Sequence, residues 1–223
     1  MNRPGEPLVT VPYDRDRALL DRVLADGRPR VDVYPWDEPC VVIGRGGSQE
    51  RELFTWAIAA DGVPLLQRPG GGCSVVLDPG NVIVAVGLPL PGVGLITRSF
   101  AAISSWLAAA LTACGIPDVV QEGVSDLVLE GKKIGGSCVY RTRGLLYYST
   151  TLLVAPDLSL AERYLRHPPR EPDYRRGRSH RDFMGALHPD RWPGSCAGLA
   201  EALESRLSGS LGELAARLGH QAS

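Results

Sequence analysis

The sequence predicts an α+β fold, with a mixed, largely antiparallel sheet packed against helices. Three observations carry this. β-Branched runs recur along the chain, glycine-containing turns punctuate them, and helices interrupt the strands without regular strand–helix alternation. No repeat, low-complexity tract or long linker divides the 223 residues, so 1–223 is read as one domain.

The elements follow in order. Residues 31–36 and 40–44 read as strands, with Pro35 and Pro39 marking an edge or a break. After Gly-Arg-Gly-Gly-Ser, the spacing of Leu53, Trp56, Ala57 and Ala60 predicts one amphipathic helix that stops at Gly62. Residues 63–68 form a strand that leads into Gly70, Gly71 and Gly72. Strands 73–78 and 81–88 are joined at Pro79-Gly80. A helix over 98–114 places Phe100, Ile103, Leu107, Leu111 and Cys114 on one face, and Gly115 with Pro117 ends it. Residues 125–130, 133–140 and 145–155 read as a meander turning at Glu130-Gly131 and Arg143-Gly144. Leu199, Leu203, Leu207, Leu211, Leu214 and Leu218 mark a terminal amphipathic helix.

Composition excludes several classes. A net charge of −1 argues against a generally basic nucleic-acid binder, and no apolar run approaches the ~20 residues of a membrane span. The N-terminus lacks the apolar core of a secretory signal. Cys40, Cys73, Cys114, Cys138 and Cys196 are odd in number and contain no C-x-x-C pair, which predicts reduced thiols in a cytoplasm. His167, His180, His188 and His220 lack the spacing of a zinc helix. Gly-Ser-Cys-Ala-Gly at 194–198 has nucleophile-elbow spacing but starts a helix with no strand before it.

Chemistry concentrates in two motifs. Of the 24 basic residues only Lys132 and Lys133 are lysine, as expected where a pocket needs a compact cation and arginine is too bulky. Lys133 opens a strand carrying Gly135 and Gly136, and glycines inside a strand mark close approach by a ligand or another backbone. Such a cation suits a carboxylate and a phosphate that are reacting. The other motif is Arg68-Pro69-Gly70-Gly71-Gly72. It opens a strand, not a helix, and no Gly-Lys-Ser/Thr follows, so it is neither a Rossmann nor a Walker loop. Its N–H groups are placed to form an anion nest, with Arg68 at the entrance. The basic run 175–181 reads either as a solvated loop or as a clamp for a phosphate or an acidic partner.

With both motifs in view, the chain resembles the catalytic domain of the lipoate-protein ligase A family, within the wider class II biotin/lipoate ligase group. Four blocks carry the resemblance: 41–45 (VVIGR), 68–81 (RPGGGCSVVLDPGN), 125–137 with 149–159, and 176–183 (RGRSHRDF). The resemblance implies that ATP and lipoate form lipoyl-adenylate with magnesium. The acyl group then passes to a lysine of a lipoyl-acceptor protein domain. It implies that Arg68, Gly71 and Gly72 line the acyl-adenylate, with Gly136 beside them. The backbone of Ser74, Val75, Val76 and Leu77 would meet the nucleotide, and Asn81 would support the loop. Lys133 would be the central catalytic cation and Asp126 a magnesium ligand. Neither a nucleic acid nor a membrane is an implied partner. Many members carry a C-terminal accessory domain; this chain is expected to lack it, so a separate subunit supplies it or the enzyme works without it.

The chain departs from the family pattern at three positions. Cys73 stands where a third glycine is usual, and Leu77 and Ser149 stand where histidines are usual. Two other readings compete. An octanoyl- or lipoyl-transferase of the same group would need a cysteine nucleophile, placed in some members shortly before the Ser-Asp-Leu-Val block. Here that stretch contains Gln121 and Glu122 and no cysteine, which favours the ligase. A non-catalytic lipoate-binding module is disfavoured by the retained Arg68 and Lys133. Biotin ligation is disfavoured because its basic glycine loop is replaced by RPGGGCS.

Overall fold

A computed structural model describes residues 7–90, 96–142 and 144–220. In chain order the elements are β1 (Val11–Pro12), α1 (Arg17–Asp26), β2 (Arg30–Pro35), β3 (Cys40–Ile43), α2 (Gln49–Glu52), α3 (Thr55–Asp61), β4 (Leu65–Gln67), β5 (Val75–Leu77) and β6 (Asn81–Leu88). There follow α4 (Ile96–Ala113), β7 (Val120–Glu122), β8 (Asp126–Leu129), β9 (Lys132–Arg141), β10 (Leu146–Leu153), α5 (Leu158–Tyr164), a 3-10 turn (Asp173–Arg175), α6 (His180–Phe183) and α7 (Cys196–His220).

Six strands form a wholly antiparallel sheet in the order β2-β6-β10-β9-β8-β7. Alternation along its strands sends one set of side chains to each face. Val82, Val84, Val86 and Leu88 of β6, with Leu146, Tyr148 and Leu152 of β10, face a core built with α4 and α7. Phe100, Ile103, Leu107 and Leu111 of α4 and all six predicted leucines of α7 fill that core. The two long helices therefore pack on the same face of the sheet. The other face is left to Ile83, Tyr147, Ser149 and Thr151, and it becomes the floor of the cavity described below.

A second sheet, β1-β4-β3-β5, is mixed, with β4 parallel to both β1 and β3 and β5 antiparallel to β3. The predicted strands 73–78 and 81–88 are both present, but they belong to different sheets. The chain changes sheet at Pro79-Gly80, where Asp78 Oδ1 accepts from Gly80 N at 2.7 Å and Asn81 Oδ1 accepts from Asp78 N at 2.9 Å. A Cβ on Gly80 would lie 2.0 Å from the Ala155 carbonyl oxygen, so only glycine lets the two segments meet.

The helix predicted after Gly-Arg-Gly-Gly-Ser is broken. Leu53 is extended and bridges to Leu165, and Phe54 N donates to the Tyr164 carbonyl at 2.9 Å. This pairing with a distant segment takes the backbone groups a continuous helix would use. It also rotates the second half: Ala57 and Ile58 are buried, while Trp56 is 64% exposed and Ala60 is exposed. The β8–β9 hairpin turns at Glu130 and Gly131, both at positive φ, as its sequence predicts. Arg143 of the other predicted turn lies outside the described residues. Among the described residues, no helix is long and apolar enough to cross a membrane.

Candidate active site

The open face of the larger sheet, β5 of the smaller one and the segment 168–176 enclose a cavity of about 870 Å³. Arg68, Gly72, Ser74, Val75, Val76, Leu77, Asp126, Lys133 and Gly136, all predicted site residues, line it. Side chains from segments far apart in the chain thus meet in one concavity.

Lys133 reaches the cavity because of a β-bulge. Asp126 and Leu127 pair with Gly136 and Gly135, and then Val128 pairs with Lys133, leaving Ile134 as the extra residue. Strict alternation would put Lys133 and Gly136 on opposite faces. The bulge brings them to one face and sends Ile134 into the helix-side core. Lys133 Nζ lies 2.7 Å from Asp126 Oδ1, with its side chain 23% exposed. The lysine stem runs over Gly136, where a Cβ would sit 2.9 Å from both Cε and Nζ. Gly136 thus serves the lysine first. The neighbouring Lys132 turns outward and donates to the Asp182 carbonyl.

Arg68 is held within its own loop. It lines the cavity, but its guanidinium is held by backbone carbonyls: Nη2 donates to Gly71 O at 2.9 Å and Cys73 O at 2.7 Å, and Nη1 to Val42 O at 3.3 Å. A cation surrounded by carbonyls of its own loop organises the loop and has little left for a phosphate. It draws the carbonyls of Gly71 and Cys73 toward itself. Gly72 adopts φ +95°, and a Cβ on Gly44 would strike its carbonyl at 2.3 Å. Gly70 packs on Cys138, while Gly71 has open space beside it.

Glu52 is the residue that sequence reasoning missed on this loop. Nearly buried, its Oε2 accepts from both Ser74 N (2.7 Å) and Ser74 Oγ (2.8 Å), and its Oε1 from Ser48 N at 3.0 Å. Ser74 lines the cavity with its amide engaged by Glu52. The available signal was the Ser48 helix cap, whose side chain accepts from Arg51 N and whose own N–H meets Glu52. Asn81, 1% exposed, holds the Asp78 turn and does not line the cavity.

The basic run 175–181 is a roof more than a solvated loop. Arg178 donates to the carbonyls of Tyr174, Arg175 and Gly131, and His180 is buried against the Arg166 carbonyl. Burial pushes the His180 imidazole pKa below its ordinary value. Arg175 stacks over Phe183 at 4.7 Å. Tyr174 donates to Asp126 Oδ2 at 2.8 Å, so both oxygens of that carboxylate are occupied. No group of three or more His, Cys, Asp or Glu side chains among the described residues is arranged to hold a metal. The donor set does not make a magnesium site of its own.

Cys73 and Cys138 both line the cavity, and burial pushes both thiols above their ordinary pKa. A nucleophilic cysteine requires the opposite shift. Leu77 is buried with Cys40, Val42 and Ile83, and Ser149 lines the floor, so both positions where the family pattern has histidine carry non-ionisable side chains.

The cavity and its ion-paired lysine thus lie on an antiparallel sheet backed on its other face by two helices. Residues 10–190 match the model of the lipoyl protein ligase A/B catalytic domain family, and the chain belongs to that family. It is 31% identical to octanoyltransferase LipM of Kyrpidia tusciae over 80% of this chain and 77% of that protein. It is 26% identical to octanoyltransferase LipM of Geobacillus kaustophilus over 69% of this chain and 64% of that one. Among solved structures it resembles a lipoate-protein ligase A bound with ATP (TM-score 0.73, 21% identity, 92% of this chain and 83% of that one). It also resembles the bipartite lipoate protein ligase of Thermoplasma acidophilum, described with its E2 lipoyl domain (TM-score 0.72, 23% identity, 92% and 82%). At these identities the likeness shows the shared fold.

Proposed function

We propose that this chain is an ATP-dependent lipoate- or octanoate-protein ligase acting as one catalytic domain. The observation that carries the reading is Lys133, ion-paired at 2.7 Å to Asp126 over a glycine-cleared strand, in a cavity whose two thiols are both pushed toward the protonated form. The acyl carboxylate oxygen attacks the α-phosphorus of ATP and pyrophosphate leaves. Lys133 lies where the carboxylate and the phosphoryl oxygens converge and stabilises the charge that develops. The ε-amine of an acceptor-domain lysine then attacks the acyl carbon, AMP departs, and the amine loses a proton as the amide forms. The amides of Gly71, Gly72 and Cys73, which donate to no acceptor among the described residues, are available to the bound oxygens. Five free thiols suit a reducing cytoplasm, and an accessory subunit is a partner to seek.

The names of the curated relatives favour a second reading, octanoyl transfer from a carrier protein, for which Cys73 is the partly exposed thiol on the cavity. One assay separates the two. The pure chain is mixed with lipoate or octanoate, an acceptor domain, magnesium, and either ATP or octanoyl-carrier protein. An ATP-dependent mass gain on the acceptor, retained in Cys73→Ser and Cys138→Ser, supports the ligase. Transfer from the carrier protein without ATP, lost in Cys73→Ser, replaces it with the transferase.

A further inference from the structure

We infer that Tyr13 and Tyr147, braced by Asp16 and Tyr34, form an end wall that limits the length of the acyl chain the cavity accepts. This deepens the acyl-adenylate reading and rests on it.

The cavity lining is of two kinds. Arg170, Glu171, Asp173 and Arg176 of the roof segment are charged. Val42, Val75, Leu77 and Ile83, which cluster with Tyr13, form an apolar limb. The carboxylate end of an acyl group belongs at the lysine, so its tail occupies the apolar limb.

Strand register measures that limb. Thr151 pairs with Gly136, which pairs with Asp126, so the Lys133 ion pair marks this level of the sheet. Ser149 opposite Cys138 is the next inward-facing level, and Tyr147 opposite Tyr140 is the one after it. At about 3.3 Å per residue, Thr151 to Tyr147 spans roughly 13 Å. With C–C bonds of about 1.52 Å, an extended eight-carbon chain measures roughly 9 Å and fits, whereas a twelve-carbon chain, at roughly 14 Å, does not.

The wall is braced, not merely present. Asp16 is 4% exposed and accepts hydrogen bonds from Tyr147 and from Tyr34, the latter at 2.6 Å. The hydroxyls of Tyr34 and Tyr13 are 3.0 Å apart, and the Tyr13 ring stacks on Trp36 at 5.8 Å. Behind Tyr147, Leu19 of α1 packs with Ala85. A buried carboxylate that binds two tyrosines at once fixes both rings, because leaving either oxygen unsatisfied is costly.

The test measures binding of hexanoate, octanoate, decanoate and dodecanoate to the full chain by calorimetry, alongside the same acyl chains on sulfamoyl-adenosine. Tyr13→Ala removes the half-buried ring of the wall and should raise dodecanoate affinity relative to decanoate about tenfold, the size expected for two newly buried methylenes. Tyr13→Trp should move the optimum toward hexanoate, and circular dichroism confirms that each variant is folded. An unchanged decanoate-to-dodecanoate ratio in Tyr13→Ala with an unmoved optimum in Tyr13→Trp overturns the end wall and leaves the adenylate reading standing. Acids that bind with this ceiling while no sulfamoyl-adenosine binds uphold the wall and overturn the adenylate reading. Failure of every free acid to bind overturns the wall.

Discussion

Lys133 Nζ lies 2.7 Å from Asp126 Oδ1, and the other oxygen of Asp126 accepts a hydrogen bond from Tyr174 at 2.8 Å. This chain of contacts joins β9 to the roof of the cavity. Lys133→Ala should lower acyl-adenylate formation about 10²–10³-fold, the usual cost of removing one donor to developing charge. Lys133→Arg should not rescue it, because the planar guanidinium is bulkier than the ammonium that lies over Gly136. Undiminished pyrophosphate release in Lys133→Ala would end its assignment.

Tyr174→Phe keeps the ring against Phe183 and removes only the hydroxyl that reaches Asp126. Loss of one hydrogen bond worth about 1 kcal/mol loosens the roof in substrate-bound and transition states alike. KM for ATP should rise roughly fivefold with kcat nearly unchanged. A fall in kcat at constant KM would place the hydroxyl in the chemistry instead.

Two glycines make a paired steric test. At Gly136 an added methyl would lie 2.9 Å from Lys133 Cε and Nζ, whereas at Gly71 it would meet nothing within 4 Å. Gly136→Ala should displace the lysine and cut activity at least tenfold while the chain stays folded. Gly71→Ala should leave stability within about 0.5 kcal/mol of wild type. Thermal melts and turnover numbers of both variants are the check, and equal activity in Gly136→Ala would contradict the geometry.

Glu52→Gln removes the charge from two hydrogen bonds onto Ser74 and forces its amide group to choose between donating and accepting. The expected loss is about 1–3 kcal/mol of stability, as for a buried charge-assisted pair. The glycine loop should become more accessible to hydrogen exchange at Ser74. Unaltered exchange there would show that Glu52 does not hold the loop.

The stability profile with pH should carry two opposing carboxylates. Burial raises the Asp16 pKa in the folded chain, so the native state binds its proton more readily than the unfolded state. Its contribution therefore improves as pH falls through the raised value and levels off near the unfolded pKa of about 3.9. Asp61, bound by Arg163, is lowered to about 2; its contribution is present above the unfolded value and is lost as pH falls toward 2. Wild type should thus gain in melting temperature on Asp16→Asn between neutral pH and pH 4. Parallel curves for the two proteins would refute this.

Much of the fold was legible from local pattern. Strand β6 occupies the predicted 81–88, α4 buries Phe100, Ile103, Leu107 and Leu111 with Cys114 half-buried just past its end, α7 buries its six leucines, and the turn at Glu130-Gly131 has the positive φ angles its sequence demands. The scarcity of lysine singled out Lys133 and the glycine runs singled out their loops, and both motifs line one cavity. Local pattern did not show what a side chain meets once other segments arrive. The Arg68 guanidinium lies against carbonyls of its own loop, and the helix over 53–60 yields to pairing with Leu165.

The division has a physical cause. Periodicity, turn chemistry and residue size act over a few neighbours, so the sequence by itself determined most strands, the two long helices and the rarity of lysine that drew attention to Lys133. Only the tertiary structure decided that Ile134 bulges and swings Lys133 onto the cavity face, that β5 and β6 part into two sheets, and that Asp16 meets Tyr147 across 131 residues of chain. Such contacts depend on which distant group satisfies a buried polar atom, and nothing in the local sequence records that choice.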